Sequence, residues 1–468
     1  IVYSMLINGQ MSAGDKTFPV RNPATEEDFA EAPDCSKEQL DSAVEAAQKA
    51  LPEWGKRSIE ARRKVLLECA ETLRAHAEEL ATLLTAEQGK TQAKGINEVM
   101  GAAAWLSYTA TLDLPVEIIK DDDVSRVEVH RIPIGVVAGI IPWNYPVITA
   151  VWKFAPAILA GNTVVLKSSP YTPLATLKMA ELISGIIPAG VVNVLSGSDE
   201  LGKWISSHPG IRKISFTGST ASGKHVAASA ADDLKRLTLE LGGNDPAIVF
   251  AGVDIKSVAQ KVYTACFENC GQVCVAIKRL YLHESIFQPV VDEMVVLAKA
   301  EVVGDGSDPA TTIGPLNNLA QLQRVMQLLE SAKADGGKVL TGGARKGDKG
   351  YFYPPTLVVD VQDDNPLVAE EQFGPIVPIL SFRDTDELIK RVNNTNFGLA
   401  ASVWSADLEQ AQTVAAQIEA GTVWINQHLA VIPQAPIAGV KWSGVGVENG
   451  RLGLESYTEI QTISIAKG

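Results

Sequence analysis

The end of an apolar strand, a glycine turn and the start of a helix follow one another in Phe216-Thr217-Gly218-Ser219-Thr220-Ala221-Ser222-Gly223. Around this stretch, short apolar segments alternate with helical patterns. We predict strands at 136–141, 163–166, 191–195 and 211–216, and helices at 172–184, 200–206 and 220–231. This alternation predicts a parallel, doubly wound α/β sheet with a ligand at the carboxyl ends of its strands.

The helix start in this stretch offers backbone N–H groups that suit a pyrophosphate. Residues 218–224 also fit the G-x-x-x-x-G-K pattern of a P-loop. The next residue is His225, where a P-loop needs a Ser or Thr hydroxyl for Mg²⁺. The pattern therefore favours a dinucleotide cofactor over nucleotide hydrolysis.

The rest of the chain divides into segments of different character. The first residues of the chain predict strands with a hairpin turn at Asn8-Gly9. The pattern becomes helical from Ser36, which is a predicted N-cap, and Gln39 completes a capping box. Residues 127–131 read as a half-exposed edge strand that needs a partner. A second β-α series follows Gly243, with strands at 247–250, 401–404 and 422–425, helices at 256–267, 285–300, 385–393 and 407–419, and a loop-rich region at 304–355 around a helix at 319–333.

Composition and charge indicate a globular protein with large cores. The chain has 468 residues, of which 46% are hydrophobic and 21% charged, enough for two or three domains. The formal net charge of −14 argues against a nucleic-acid or anionic-membrane partner. No apolar run is long enough to span a bilayer and no signal peptide is evident, so we expect a cytoplasmic protein. Because the sequence does not begin with Met, it leaves open whether a targeting segment precedes it.

The five cysteines are sparse and odd in number: Cys35, Cys69, Cys266, Cys270 and Cys274. Such a set does not predict a disulfide framework and favours a reducing compartment. The last three are spaced by four residues, but no Cys-x-x-Cys occurs, so we predict no metal site. A reversible Cys270–Cys274 disulfide under oxidation is an alternative use of this spacing.

Cys274 is a candidate nucleophile at the end of Phe267-Glu268-Asn269-Cys270-Gly271-Gln272-Val273-Cys274. The Gly271-Gln272 pair breaks a helical pattern before a strand-like segment, so the sulfur could face a cleft. A thiolate is a strong nucleophile. The alternative is a small, buried apolar side chain.

Two further residues suit chemistry on a carbonyl group. Glu240 ends an apolar strand before the Gly242-Gly243 break, where partial burial would raise the pKa of its carboxyl group toward that of a base. A strand-end Glu that points to solvent is the commoner case. Asn144 follows a strand and could donate to an oxyanion, although Asn is also ordinary in a turn.

Six motifs, in order and across nearly the whole chain, resemble those of the aldehyde dehydrogenase superfamily. They are Pro142-Trp143-Asn144, Phe216-Thr217-Gly218-Ser219, Glu240-Leu241-Gly242-Gly243, Gly271-Gln272-Val273-Cys274, Glu371-Gln372-Phe373-Gly374-Pro375 and Lys441-Trp442-Ser443-Gly444. The resemblance implies an NAD(P)-dependent oxidation of an aldehyde to a carboxylic acid.

The resemblance also implies the architecture, which is α/β with a Rossmann-like cofactor domain, an α/β catalytic domain and a small β oligomerisation arm. We assign 1–113 and 134–242 to the cofactor domain, with 443–457 returning to it, and 243–442 to the catalytic domain. The oligomerisation strands are 114–133 and 458–468. A homodimer or homotetramer is expected.

The resemblance implies a cofactor site formed by Pro142, Trp143, Lys167, Ser169, Gly218, Ser219, Gly242, Glu371 and Phe373. Ser219 would bind the pyrophosphate, Lys167 the adenosine ribose and Glu371 the nicotinamide ribose. A solvated Lys167 and an acidic turn at Glu371 are the alternatives. Pro170 stands where NAD-preferring members often carry Glu, which removes a repulsion against a 2′-phosphate. We expect NAD or NADP, with NAD favoured.

In the implied reaction, the Cys274 thiolate attacks the aldehyde, and Asn144 with the Cys274 N–H stabilises the oxyanion. After hydride transfer, Glu240 activates the water that hydrolyses the thioester. Lys153 could assist this reaction, but the sequence does not show whether it lies near the reacting groups. A CoA-acylating semialdehyde dehydrogenase and a non-catalytic binding protein are the alternatives, and the presence of Cys274 and Glu240 together disfavours both.

The substrate tunnel is predicted to be lined by Tyr145, Ile148, Trp152, Val273, Val275, Val431 and Ile432. Most of these residues are apolar, which favours an aliphatic or aromatic aldehyde, although several could instead fill the core. The stretch Pro436-Ile437-Ala438-Gly439 departs from the Pro-Phe-Gly-Gly that is usual in the superfamily.

Overall fold

A computed structural model describes residues 2–467 of the protein. Ile1 and Gly468, the outer limits of the assigned cofactor domain and oligomerisation strands, lie outside the described residues. The strands are β1 (Met5–Ile7), β2 (Gln10–Ser12), β3 (Lys16–Asn22), β4 (Glu27–Asp34), β5 (Glu117–Asp121), β6 (Ser125–Pro133), β7 (Val136–Ile140), β8 (Thr163–Lys167), β9 (Val192–Leu195), β10 (Lys213–Thr217), β11 (Arg236–Glu240), β12 (Asp245–Val249), β13 (Ile277–His283), β14 (Lys338–Thr341), β15 (Thr356–Val359), β16 (Ile376–Phe382), β17 (Ala400–Trp404), β18 (Thr422–Ile425), β19 (Gly444–Val445) and β20 (Thr458–Ala466).

The helices lie between these strands in the same chain order. They are α1 (Lys37–Lys56), α2 (Ile59–Ala75), α3 (Ala77–Gln88), α4 (Gln92–Thr109), α5 (Pro146–Leu159), α6 (Leu174–Ile183), α7 (Asp199–Ser207), α8 (Thr220–Ala230), α9 (Ile255–Phe267), α10 (Phe287–Ala300), α11 (Leu319–Ala334), α12 (Pro366–Ala369), α13 (Thr385–Asn393), α14 (Leu408–Ala415) and α15 (Gly450–Glu455). Within residues 2–467, no helix is both long and apolar enough to cross a membrane.

The first sheet has the strand order β19-β11-β10-β7-β8-β9-β1-β2. Strands β11, β10, β7, β8 and β9 run parallel, and β19, β1 and β2 add to them antiparallel. The predicted strands and helices of this region are confirmed to within a few residues. The prediction missed α5, because this helix is buried on nearly every side and therefore lacks an amphipathic pattern.

The second sheet has the order β14-β15-β16-β13-β12-β17-β18 and is parallel except for β14. The sequence predicted its β12, β17 and β18 but not β15 and β16. Prolines at positions 354, 355, 375 and 378 lie beside or inside those two strands and interrupt the strand pattern.

The third sheet has the order β20-β6-β5. The prediction that residues 127–131 form an edge strand is wrong, because β6 lies in the middle and pairs with both β20 and β5. The sheet leaves several apolar side chains exposed, namely Ile118, Ile119, Ile460, Ile463 and Ile465.

Local signals near the start of the chain are confirmed. Asn8 and Gly9 adopt φ values of 52° and 75° and join β1 to β2 in a hairpin. The Ser36 side chain accepts from the Gln39 N–H, and the Gln39 side chain accepts from the Ser36 N–H, which is the predicted capping box.

The sheets meet edge to edge. At the carboxyl edge of the first sheet, Asn144 follows β7, Lys167 ends β8, Gly218 follows β10 and Glu240 ends β11. The second sheet presents its amino edge instead, because Gly243 precedes β12, Cys274 precedes β13, and Glu371 and Phe373 precede β16. These residues therefore lie at the junction of the two sheets, the cleft, where Asn144 Nδ2 donates to the Gln272 carbonyl and the Gly243 N–H donates to Glu371.

A buried ion pair fixes the start of α5, next to Asn144. The ammonium of Lys90 lies 2.5 Å from Glu98 Oε2, with both side chains almost fully buried. The Lys90 Nζ also donates to the Asn144 carbonyl oxygen at 2.9 Å. The other Glu98 oxygen accepts the N–H groups of Val147 at 2.9 Å and Ile148 at 3.3 Å, and so caps α5.

Replacing Lys90 by Met should lower the free energy of unfolding by about 3–5 kcal/mol, because it leaves the Glu98 carboxylate buried without its cation. Urea denaturation measures this change. The matched control is Lys203→Met, which breaks an exposed pair with Glu200 and should cost less than about 1 kcal/mol. A change below about 1 kcal/mol for Lys90→Met would contradict the structural importance of this pair.

Candidate active site

The loop that carries Cys274 has an unusual backbone. After α9 ends at Phe267, a short 3-10 turn covers Glu268–Gly271, and Asn269, Cys270 and Gly271 have φ values of 49°, 59° and 71°. A Cβ at position 271 would lie 2.2 Å from the Gly374 carbonyl oxygen, so only glycine fits there. The three left-handed residues turn the chain so that Cys274 lies on the connection before β13.

Hydrogen bonds hold this loop against the first sheet. The Gln272 side chain donates to the Asn269 carbonyl at 3.0 Å and accepts from the Asn317 N–H at 2.8 Å. The Asn269 side chain donates to the Asn144 carbonyl at 3.3 Å. The Asn144 Nδ2 in turn donates one of its hydrogens to the Gln272 carbonyl at 3.0 Å.

Cys274 is half-buried, whereas the other four cysteines are buried. Burial raises the pKa of its thiol to about 12, and the charge of Lys278 is the largest opposing influence. The carboxyl groups of Asp245, Glu240 and Glu371 raise it further. The charge of the Glu240 carboxyl group therefore acts on the Cys274 thiol. All five cysteines are free.

Glu240 lies at the end of β11 with 7% of its surface exposed. Among the described residues, its buried Oε1 has no hydrogen-bond partner. Burial raises the pKa of this carboxyl group well above its ordinary value, and the nearby charge of Glu448 raises it further, while Lys153 lowers it. A carboxyl group in this state is suited to exchange protons near neutral pH.

The structure shows the partners of Lys153, for which the sequence alone gave no position. Its fully buried ammonium forms an ion pair with Glu448 and donates to Thr217 Oγ1 at 2.6 Å. Ser215 donates to the same Glu448 oxygen at 2.7 Å. The sequence analysis missed Glu448, because nothing near it in the chain marks a carboxylate that will be buried next to a lysine on α5.

Glu371 lies against the Gly242-Gly243 break. Its Oε1 accepts the Gly243 N–H at 3.1 Å and lies 3.1 Å from the Lys278 ammonium. A Cβ at position 242 would lie 2.1 Å from Glu371 Oε2, so a larger residue there would displace the Glu371 carboxylate. With 19% of its side chain exposed, Glu371 is not part of a solvated acidic turn.

The Phe373 ring meets Trp143 edge to face, with ring centres 5.3 Å apart.

The residues at the carboxyl edge of the first sheet suit a bound nucleotide. Ser219 is exposed and caps α8, its side chain accepting from the Ser222 N–H at 3.1 Å. Lys167 is 4% exposed, which excludes a solvated strand-end charge, and burial lowers the pKa of its ammonium to about 8. Within residues 2–467, the Lys167 Nζ donates to one acceptor, the Ser168 carbonyl at 3.2 Å, and an ammonium has three hydrogens. Ser169 lies buried beside it.

The predicted tunnel residues separate into two groups. Tyr145, Val273, Val275 and Val431 pack in one apolar cluster with Cys274. The others lie elsewhere, since Ile148 packs against the large core of the first sheet, Trp152 stacks on Trp105 with ring centres 5.6 Å apart, and Ile432 is 49% exposed.

His428, which the sequence analysis missed, joins the segment that carries Val431 to the Cys274 loop. Because a carbonyl only accepts, His428 Nε2 donates to the Val275 oxygen at 2.7 Å. The neutral imidazole carries its one hydrogen on Nε2, so its Nδ1 accepts from the Ser402 hydroxyl at 2.8 Å, and Ser402 Oγ in turn accepts from Trp404 Nε1 at 2.9 Å. The direction of every bond in this chain is therefore determined. Burial lowers the pKa of His428 to about 3.

Across residues 2–467, no three His, Cys, Asp or Glu side chains come together as a group that could hold a metal ion.

Comparisons with known proteins identify the family. The aldehyde dehydrogenase family profile matches residues 10–463. A phenylacetaldehyde dehydrogenase from Pseudomonas fluorescens is 39% identical, over 99% of this chain and 96% of its own. An NAD⁺ complex of an aldehyde dehydrogenase from Bacillus cereus superposes with a TM-score of 0.97 at 36% identity, over 100% of this chain and 97% of its own. An NADP dependent enzyme from E. coli gives a TM-score of 0.97 at 34% identity, over 99% and 98%.

The protein belongs to the aldehyde dehydrogenase family. It is accordingly an NAD(P)-dependent oxidoreductase that oxidises an aldehyde. The resemblance and the fold class inferred from the sequence are confirmed.

Replacing His428 by Phe should lower kcat/KM for aldehyde oxidation about tenfold, since the Val275 carbonyl and the Ser402 hydroxyl lose a partner next to Cys274. Steady-state kinetics measures the effect. As a comparison, Ser402→Ala removes the hydrogen bonds of Ser402 to His428 and Trp404 but keeps the His428 bond to the Val275 carbonyl, and it should cost less. An unchanged kcat/KM in His428→Phe would show that this link does not position the site.

The same substitution should change the pH dependence of stability. Because the folded protein lowers the pKa of His428 to about 3, it binds this proton more weakly than the unfolded chain, whose histidines titrate near about 6.5. His428 therefore contributes stability that is present above about pH 6.5 and is lost as the pH falls toward 3. Thermal unfolding of His428→Phe should depend less on pH over this window than that of the wild type.

Proposed function

We propose that this aldehyde dehydrogenase uses Cys274 as its nucleophile, Asn144 as an oxyanion donor and Glu240 as the base for hydrolysis. The observation that carries the proposal is that the buried Glu240 Oε1 has no hydrogen-bond partner among the described residues, while the charge of this carboxyl group acts on the half-buried thiol of Cys274. A packed structural cysteine would not need a buried, unpartnered carboxyl group beside it.

The first step is addition of the Cys274 thiolate to the aldehyde. The thiol loses its proton to solvent, a carbon–sulfur bond forms, and the π electron pair of the carbonyl moves to oxygen. Asn144 keeps one amide hydrogen for this oxyanion, because the other is donated to the Gln272 carbonyl. The Lys90 and Asn269 hydrogen bonds to the Asn144 carbonyl hold that backbone in place.

Bound NAD(P)⁺ supplies the hydride acceptor for the oxidation step. On the protein side, Glu371 and the Gly242 position suit the nicotinamide ribose, and Lys167 with Ser169 suits the adenosine ribose. Ser219 and Gly218 lie at the start of α8, where backbone N–H groups suit the pyrophosphate. Pro142, Trp143 and Phe373 complete the wall on which the cofactor would pack.

The last step is hydrolysis of the thioester on Cys274. Glu240 takes a proton from a water molecule, the water oxygen attacks the acyl carbon, and the carbon–sulfur bond breaks to return the thiolate. Burial and the charge of Glu448 raise the pKa of the Glu240 carboxyl group, which strengthens it as a base. The buried Lys153–Glu448 pair lies close enough to influence its charge and would assist proton exchange.

The division of the chain into functional domains is part of the same proposal. The assigned cofactor domain, 1–113 and 134–242 with 443–457, would bind the cofactor. Residues 243–442 would carry the nucleophile. Residues 114–133 and 458–468 would join subunits in a homodimer or homotetramer, a role that the exposed isoleucines of the third sheet support. The cytoplasm remains the predicted compartment.

The proposed substrate is an apolar aliphatic or aromatic aldehyde. The apolar cluster around Cys274 supports this class, and the phenylacetaldehyde dehydrogenase relative acts on an aldehyde of that kind. The alternative, a CoA-acylating semialdehyde dehydrogenase, is disfavoured by the buried Glu240, since an enzyme that transfers the acyl group to CoA needs no base for water. NAD is favoured weakly over NADP.

Substitution of the two reacting groups should separate the two half-reactions. Cys274→Ala should abolish NAD(P)H formation. Glu240→Gln should retain a rapid burst of about one NAD(P)H per subunit, while steady-state turnover falls about 10²–10⁴-fold, because hydride transfer precedes hydrolysis. Stopped-flow absorbance measures both phases. Cys69→Ala, which removes a buried thiol in α2, is the control and should retain turnover, and full turnover in Glu240→Gln would reject the base assignment.

A substrate panel should show the preferred class and product. We expect kcat/KM for phenylacetaldehyde and hexanal to exceed that for betaine aldehyde and succinic semialdehyde by about tenfold or more, because the Cys274 cluster is apolar. Assays with NAD⁺ and NADP⁺, with and without CoA, measure reduced cofactor and free acid. A preference for a charged aldehyde, or a product that forms only with CoA, would overturn the substrate or hydrolysis proposal respectively.

A further inference from the structure

Lys278 connects the nucleophile loop to the cofactor side of the cleft. It lies in β13, four residues after Cys274, and its side chain is 3% exposed. Its ammonium donates to the carbonyl oxygen of Cys274 and lies 3.1 Å from Glu371 Oε1. The ammonium also lies 5.9 Å from the centre of the Phe373 ring. A buried cation therefore touches both the nucleophile's own peptide group and a carboxylate proposed to hold the cofactor.

Lys278 is surrounded by groups of the opposite sign. Among the described groups whose charge acts on the Cys274 thiol, Lys278 is the cation, and Asp245, Glu240 and Glu371 are the acids. Asp245 is 1% exposed, and burial raises the pKa of its carboxyl group to about 7. The Tyr145 hydroxyl also lies near the thiol, and burial keeps its pKa well above the ordinary value. Lys278 is thus the group that favours a thiolate in a site that otherwise opposes one.

Glu371 limits how much of the Lys278 charge the thiol experiences. The same Glu371 oxygen accepts from Lys278 and from the Gly243 N–H. Ribose hydroxyls donate hydrogen bonds, so a ribose bound to Glu371 would share or replace these donors. The carboxylate would then neutralise less of the ammonium, and more of its field would act on the sulfur.

We propose that Lys278 is a positioning residue that couples cofactor binding to thiolate formation at Cys274. Glu371 is the group that exchanges between Lys278 and the cofactor ribose. On this exchange the S–H bond of Cys274 breaks, its proton passes to solvent, and the thiolate faces the freed ammonium. The inference rests on the proposed function, because it takes Cys274 as the nucleophile and Glu371 as the ribose ligand. A lysine that only satisfied the Cys274 carbonyl would not respond to the cofactor.

The test is the pH dependence of Cys274 alkylation by iodoacetamide, with and without saturating NAD⁺ and with no aldehyde present. Peptide mapping assigns the alkylated residue. In the wild type, NAD⁺ should lower the pH midpoint of alkylation by about one unit or more, which is a tenfold change in thiolate fraction at a fixed lower pH. Lys278→Met should raise the midpoint without cofactor and remove the response to NAD⁺, and Lys278→Arg should restore part of both.

Glu371→Gln provides the opposite perturbation. It removes the competing carboxylate charge and should lower the midpoint without cofactor, so that the free enzyme resembles the cofactor-bound wild type. The control is Lys346→Met, which removes a lysine that donates to the Val303 carbonyl at 2.6 Å, outside the cleft, and should leave the midpoint and its NAD⁺ response unchanged.

Two results would overturn the proposal. One is a folded Lys278→Met variant, judged by its thermal transition, with an unchanged midpoint and an unchanged NAD⁺ response. If that variant does not fold, an unchanged midpoint in Glu371→Gln overturns the proposal instead. Failure of the proposed function looks different, since complete alkylation of Cys274 would then leave aldehyde oxidation intact.

Discussion

The cleft depends on a passage of four residues between two sheets. Strand β11 ends at Glu240 and β12 begins at Asp245, so the chain crosses from the carboxyl edge of one sheet to the amino edge of the other in very little length. Glycines keep this passage compact, because a Cβ at 242 would displace the Glu371 carboxylate and one at 243 would lie 2.9 Å from the Cys274 carbonyl oxygen. The short crossing brings a strand-end carboxyl group and a loop thiol to the same place.

Buried lysine–glutamate pairs surround this cleft on three sides. Lys90–Glu98 fixes the peptide after β7, Lys153–Glu448 lies beside the Glu240 carboxyl group, and Lys278–Glu371 spans the Cys274 loop and the β16 approach. Burying such charges costs desolvation energy that their attraction only partly offsets. Their presence here is better explained by what they position than by net stability, since each pair touches a segment that carries a proposed catalytic or cofactor residue.

The sequence predicted those parts of the molecule whose signal is local. Strands of the first sheet, the Ser36 capping box and the hairpin at Asn8-Gly9 depend on neighbouring residues and were predicted correctly. Helix α5 was missed, because a helix buried all round has no polar face. The interior position of β6 was also mistaken, because its partner β20 comes from the other end of the chain.

The candidate site shows the same division between local and distant information. Asn144, Glu240 and Cys274 could be proposed because each follows or ends a strand, or breaks a helical pattern, within a recognisable motif. Glu448, Lys278 and His428 could not, because their roles come from partners brought close only by folding. Lys278 pairs with a residue on the approach to β16, and His428 pairs with the peptide after Cys274. Sequence reasoning therefore found the proposed reacting groups. It missed the residues that position these groups and influence their pKa values.

The late return of the chain to the first sheet has a consequence for biosynthesis. Strand β19 pairs with β11, and the Glu448 carboxylate meets the ammonium of α5, so both contributions come from residues translated long after the strand and the helix that they complete. A domain whose residues are contiguous can fold while the ribosome is still working. Here the early half of the protein emerges from the ribosome before Glu448 and β19, so Lys153 then lacks its carboxylate partner and β11 lacks a neighbouring strand. The first sheet can therefore reach its final form only after most of the later half has emerged.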